Sequence, residues 1–182
     1  MGIVTDYLTS KTRDLTDDEI FEAKTVFKET IRYTHVSIAD DIGAGDCQWT
    51  EPSGGPMDFY VIHMGRRGFA STADPYLRGV LIHELCHVWQ GLHHLCSWSY
   101  VAGSHANRLL YGQKMYDYKA GDMWGEYNVE QQAHIVEDWY RTGRRTDSPL
   151  YRYVSGNIWC PVRSWFGVTA TEIGASASAI KG

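Results

Sequence analysis

The stretch 71–94, "STADPYLRGVLIHELCHVWQGLHH", decides how the rest of the chain is read. Asp74 suits an N-cap, and Pro75 follows at the first helical position, where its missing N–H costs nothing. Leu81, Leu85, Val88, Trp89 and Leu92 recur at helical spacing and predict a buried face. Gly91 predicts the C-terminal stop. Inside this helix His83, Glu84 and His87 spell H-E-x-x-H. Residues i and i+4 share a helix face, so the two imidazoles can hold one zinc ion. Glu84 falls beside them, placed to take a proton from a water that the ion acidifies. The chemistry implied is attack of that water on a polarised carbonyl.

A zinc site of this kind needs a third protein ligand. His93 lies six residues after His87, but the long motif with that spacing requires glycine at the position held here by Gln90. Gly91 comes one residue late, and His94 rather than His93 stands three residues beyond it. The other candidate is Glu130, in "YNVEQQAHIVEDWYRTG" (127–143). Val129, Ala133, Val136 and Tyr140 make an apolar stripe there, and Gly143 ends the helix. Glu130, His134, Glu137 and Asp138 share its polar side, which on its own reads as a solvated face. Beside a zinc helix that still lacks a ligand, Glu130 is the better choice, with its neighbours positioned to orient the ligands.

The remaining signals fix a frame. The length of 182 residues suits one domain, and 43% hydrophobic residues suffice for a core. A net charge of −5 argues against a nucleic-acid partner. No apolar run is long enough to span a membrane. The opening residues lack a basic region followed by an apolar one, so synthesis in the cytoplasm without a Sec signal peptide is expected. Cys47, Cys86, Cys96 and Cys160 form no C-x-x-C pair and read as free thiols.

"LTDDEIFEAKTVFKETI" opens with a capping box, Thr16 and Glu19, and predicts a helix over about 16–32. "THVSIADD" (34–41) and "MDFYVIHMG" (57–65) predict strands, and "GAGDCQWTEPSGGP" between them a loop. The second strand is expected to form the sheet edge that takes an extended peptide, with Tyr60 and Val61 on it and His63 an ordinary strand histidine. Further helix is expected in "SHANRLLYGQKMY". Tyr111, Tyr116, Tyr118, Tyr127 and His134 are candidates to donate to an oxyanion. Residues 1–15 read as an arm, 16–165 as the domain and 166–182 as a frayed tail. The fold class expected is a mainly helical α+β domain with a small sheet beside the H-E-x-x-H helix.

"LTDDEI-FEAKTVF", "RYTHVSIADD", "LIHELCHVWQ" and "YNVEQQAHIVEDWY" together resemble a family of small zincin-like bacterial metallopeptidase domains related to Rhs and Vgr elements. Such domains occur alone and at the C-terminus of some type VI secretion spike (VgrG) proteins. The resemblance covers about residues 15–140. It implies one zinc ion held by His83, His87 and Glu130, with Glu84 as general base. Cys86 departs from the small residue frequent in the family and reads as an inert thiol. By analogy the resemblance implies an effector or toxin exported by a contact-dependent secretion system to a target-cell periplasm or a host. Its substrate would be a protein or peptide, and its partners secretion components or an immunity protein. The alternatives are a zinc amidase acting on cell-wall peptide amides and an inactive zinc-stabilised binding or delivery module.

Overall fold

The computed structural model describes residues 10–42, 47–53, 58–93 and 116–160. Strand β1 (Thr12–Asp14) leads into helix α1 (Asp17–Phe27), and a short 3-10 turn precedes β2 (Val36–Ala39). Strands β3 (Trp49–Pro52) and β4 (Tyr60–His63) follow, then the short helix α2 (Gly65–Ala70) and the long helix α3 (Pro75–His93). A 3-10 turn (Trp124–Glu126) leads into helix α4 (Val129–Arg141), and the short turn α5 (Tyr151–Tyr153) runs on into a π-helical turn (Val154–Ile158). The chain is thus α+β, about half helical, with one four-stranded sheet in the order β1-β2-β4-β3. β4 runs parallel to β2, and both outer strands are antiparallel to their neighbours. Among the described residues no helix is long and apolar enough to cross a membrane.

Strand alternation sorts the sheet into two faces. Val36, Ile38, Tyr60 and Ile62 join the core under the helices. Thr50 pairs with Ile62 and shares that face, whereas Trp49 pairs with His63 on the other. α3 is the centre of the fold. Every residue from Leu81 to Gly91 is buried, because the sheet and α1 cover one side and α4 the other. The apolar stripe is therefore only one sector of a helix enclosed all round.

Several expectations change. β1 lies inside the expected arm, where Arg13 pairs with Ile38. β4 is not an edge: it lies between β2 and β3, and the edge next to it is β3, within the stretch read as loop. α1 stops at Phe27, followed by Lys28 at φ 52°. α3 runs past Gly91 to His93. A Cβ on Gly91 would come within 2.3 Å of the Tyr60 hydroxyl, so this glycine serves close packing and not a stop. The inner side of α4 is rotated relative to the expected stripe. Gln132, Ile135 and Trp139 are buried with Ala133 and Val136, while Val129 and Tyr140 are only half-buried. The possible helix at 104–115, Tyr111, His94, Cys96 and the expected tail lie outside the described residues.

Glu19 ties the N-terminal elements together. Its carboxylate accepts from the Thr16 N–H at 2.8 Å, from both Arg13 Nη atoms at 2.7 and 2.8 Å, and from the Thr72 hydroxyl at 2.7 Å. Burial pushes this carboxyl's pKa up, but the Arg13, Thr16 and Thr72 hydrogen bonds and the Arg13 charge outweigh it and bring it down to about 2. A lowered folded-state pKa gives stability that is present above the unfolded value of 4.5 and lost as pH falls towards 2. Glu19→Ala should cost about 3 kcal/mol, since it leaves Arg13 and Thr72 facing each other without their acceptor. Glu19→Gln should flatten the fall in stability between about pH 4.5 and 2 seen in the parent. Denaturant unfolding across that range measures both.

Candidate metal centre

α3 presents His83 and His87 towards α4, one turn apart, and Glu84 about 100° away towards β3. α4 answers with Glu130 in its first turn. The N-cap Asn128 and Gln131 form a capping box that fixes where this turn begins. His83 Nε2 lies 3.3 Å and His87 Nε2 3.4 Å from the same atom, Glu130 Oε2. One donor atom from each of the three residues lies within 4.8 Å of the others, and all three residues are buried. Tetrahedral ligands at about 2.0–2.1 Å from zinc stand about 3.3–3.4 Å apart. The two nitrogen-to-carboxylate distances match that spacing, and the two-imidazole, one-carboxylate set suits the ion.

The second nitrogen of each imidazole is fixed as a donor. His83 Nδ1 donates to Glu137 Oε2 at 3.0 Å. His87 Nδ1 donates to Gln90 Oε1 at 2.8 Å. Gln90 is itself oriented, because its Nε2 donates to the Val129 carbonyl and to Gln132 Oε1, both at 2.9 Å. Both Nε2 lone pairs are thereby turned to the shared point. Glu137 is anchored by Arg141, which donates to Oε1 through Nε at 2.8 Å and also reaches the Tyr76 carbonyl at the start of α3. A Cβ on Gly79 would stand 2.2 Å from the Arg141 guanidinium carbon. The glycine lets this cross-link pass between the helices.

The electrostatics of the site follow from this crowding. Burial lowers the pKa of His83, but hydrogen bonds to Glu130 and Glu137 and the charges of Glu84 and Glu130 raise it well above the ordinary value. His87 moves the same way, burial again opposed chiefly by Glu130. Glu130 is lowered: burial pushes it up, and the two imidazoles more than offset that. A metal ion binding here would compete with protons for the imidazoles.

Glu84 is buried and accepts from the Thr50 hydroxyl at 2.7 Å, on Oε2. Thr50 belongs to β3 and was not anticipated, since its strand is recognisable only by pairing. Gln90 counted in the sequence as a break in a longer motif, and here it holds His87. The acidic side of α4 divides in two. Glu130 and Glu137 are buried against α3, whereas Asp138 accepts from the Tyr118 hydroxyl at 2.7 Å and orients no ligand. His93 is directed elsewhere: its Nε2 donates to the Thr30 carbonyl at 3.0 Å. Cys86 is fully buried in the core, and burial pushes its thiol far up. A second grouping, His83, His134 and Glu137, also falls within 4.8 Å. It uses the His83 nitrogen already donating to Glu137, and Arg141 puts a positive charge 2.7 Å from that carboxylate. His134 and Tyr116 stand beside His83, with ring centroids 6.2 Å from it in each case.

No family model matches the sequence. The chain is 33% identical over 136 residues to the type VI secretion system spike protein VgrG2b of Pseudomonas aeruginosa, a match covering 70% of this chain and 13% of that protein. This chain thus corresponds to a small part of the spike protein's length. The solved effector domain of P. aeruginosa VgrG2b has a TM-score of 0.58 to this structure at 29% identity, with 78% of this chain and 81% of that domain covered. The chain is homologous to that effector domain.

Loss of Glu130 should remove most of the bound zinc from a chain that remains folded. Loss of the Glu137 carboxylate, as Glu137→Gln, should weaken zinc binding by about 10- to 100-fold without abolishing it. Calorimetric titration of the metal-free protein in buffers of different ionisation enthalpy measures both effects, and in the parent it should show net proton release at neutral pH.

Proposed function

We propose that this protein is a zinc-dependent peptidase that acts as a type VI secretion effector. The convergence of both imidazole Nε2 atoms, from His83 and His87, on Glu130 Oε2 at 3.3 and 3.4 Å, with Glu84 on the adjoining helix face, carries this reading. The homology to the VgrG2b effector domain supports the secretion context. Zinc held at that point supplies Lewis acidity and acidifies water beside it.

The chain's own residues supply the rest. Glu84 is the general base. Thr50 occupies its Oε2 and leaves Oε1 to receive the proton of the attacking water. The same carboxyl then returns that proton to the departing amine. His134 is half-buried and lies with Tyr116 next to His83, so these two are the donors best placed to meet the oxyanion. β3 is the edge strand of the described sheet nearest the site, and an extended peptide adds to it through backbone hydrogen bonds. Burial of His83, His87 and Glu130 between α3 and α4 holds the ligands in a low-dielectric setting, which strengthens each electrostatic contact. As an effector it acts outside the producing cell, on a protein or peptide in the target periplasm or in a host, with secretion components and an immunity protein as its expected partners.

Glu84→Gln separates chemistry from metal binding. It should keep its full complement of zinc and the thermal stability of the parent, and lose at least about 100-fold in hydrolysis of an unfolded protein substrate. Elemental analysis and a substrate-cleavage assay on the same sample decide it. A variant that cleaves at the parental rate rules out Glu84 as the base.

A further inference from the structure

On the sheet face away from α3, His63 is buried with a carboxylate at each ring nitrogen. Nδ1 lies 2.6 Å from Asp41 Oδ1, and Nε2 lies 3.1 Å from Glu51 Oε1. Trp49 stacks on the ring at 4.4 Å between centroids, 13° from parallel. A neutral imidazole has one N–H and can donate to only one of these carboxylates. Only the imidazolium satisfies both. Burial pushes the His63 pKa down, but Glu51 and Asp41 outweigh it, and the net direction is up. Arg66 and Arg67 of α2 line the neighbouring cleft with Asp40 and Asp41, so charges of both signs stand near this cluster.

The two carboxylates come from different parts of the chain. Asp41 follows β2, and its carbonyl accepts the Gly65 N–H at 2.8 Å, which ties it to the start of α2. Glu51 belongs to β3. Three consecutive residues of β3 are therefore held by side chains, Trp49 and Glu51 by His63 and Thr50 by Glu84. β3 has only four residues and pairs with β4 along one side. A strand paired on one side is held by fewer backbone hydrogen bonds than β4, which is paired on both, and the Thr50 hydroxyl is only as well placed as the strand that carries it.

We propose that His63 is a positioning residue: bridging Asp41 and Glu51, it clamps edge strand β3 from behind and so sets the Thr50 hydroxyl against Glu84. Its catalytic meaning rests on the reading of Glu84 as the base; the clamp itself does not. A raised folded-state pKa means the clamp is complete at low pH and opens as pH rises through that value.

Nitrogen-15 NMR of the full chain tests it without any assay of hydrolysis. The His63 ring nitrogens should titrate above the ordinary histidine value, and the backbone amides of Trp49, Thr50 and Glu51 should shift with the same midpoint. Glu51→Gln should lower both midpoints together, and His63→Gln should abolish the β3 transition. Should His63→Gln fail to fold, the Glu51→Gln titration decides. β3 amides that stay still while His63 titrates overturn the clamp. Hydrolysis gives a second readout. At a pH between the lowered midpoint of Glu51→Gln and that of the parent, kcat of the variant should be about tenfold below the parent's, as expected for a misplaced base. An unchanged kcat in a variant whose β3 has shifted overturns the link to Glu84. Absence of hydrolysis from every form, parent included, overturns the peptidase reading, while the amide titration still decides the clamp.

Discussion

Helix α3 is buried on every side over Leu81–Gly91, yet that segment carries His83, Glu84, His87 and Gln90. Buried polar and ionisable groups are tolerable only with partners. Each of the four has one from another element or from the helix itself: His83 has Glu130 and Glu137, His87 has Glu130 and Gln90, Glu84 has Thr50, and Gln90 has Val129 and Gln132. This requirement orders the surrounding fold. α4 must pack with its carboxylates inward, β3 must close over Glu84, and Arg141 must cross from α4 to the start of α3 to balance Glu137.

The same requirement concentrates charge at the centre. Two imidazoles and a carboxylate share one point, and Glu137 and Glu84 stand close behind. A divalent cation would offset it, because it would meet all three donors at once. A metal held at this point would couple its binding to folding through the contact between α3 and α4, the interface that the site itself forms.

The helices were legible because their signals are local. Thr16 with Glu19, and Asp74 before Pro75, mark the helix starts seen in the structure. The H-E-x-x-H spacing placed His83, Glu84 and His87 on neighbouring faces, and the structure brings Glu130 to the two histidines. What stayed hidden depends on pairing across the fold. β3 is four residues of mixed polarity, and only its ladder with β4 makes it a strand. Thr50 could not be found before that ladder was known. Gln90 looked like a defect because its meaning comes from Val129 and Gln132, some forty residues on. The polar side of α4 reads as inward only because the zinc helix lacks a ligand; its apolar side is misplaced by that reading, since Gln132, Ile135 and Trp139 are buried while Val129 and Tyr140 are half-buried. Gly91 resembled a terminator because the Tyr60 hydroxyl that occupies its missing side chain's place is distant in sequence.

X-ray absorption at the zinc edge of the metal-loaded protein tests the central claim most directly. The expected result is a four-coordinate shell of nitrogen and oxygen at about 2.0–2.1 Å, with outer-shell scattering from two imidazoles, as His83, His87, Glu130 and a water would give. A sulfur distance near 2.3 Å would bring in a cysteine such as Cys86. Scattering from three imidazoles would replace Glu130 by a histidine. Either result would contradict the centre described for this fold.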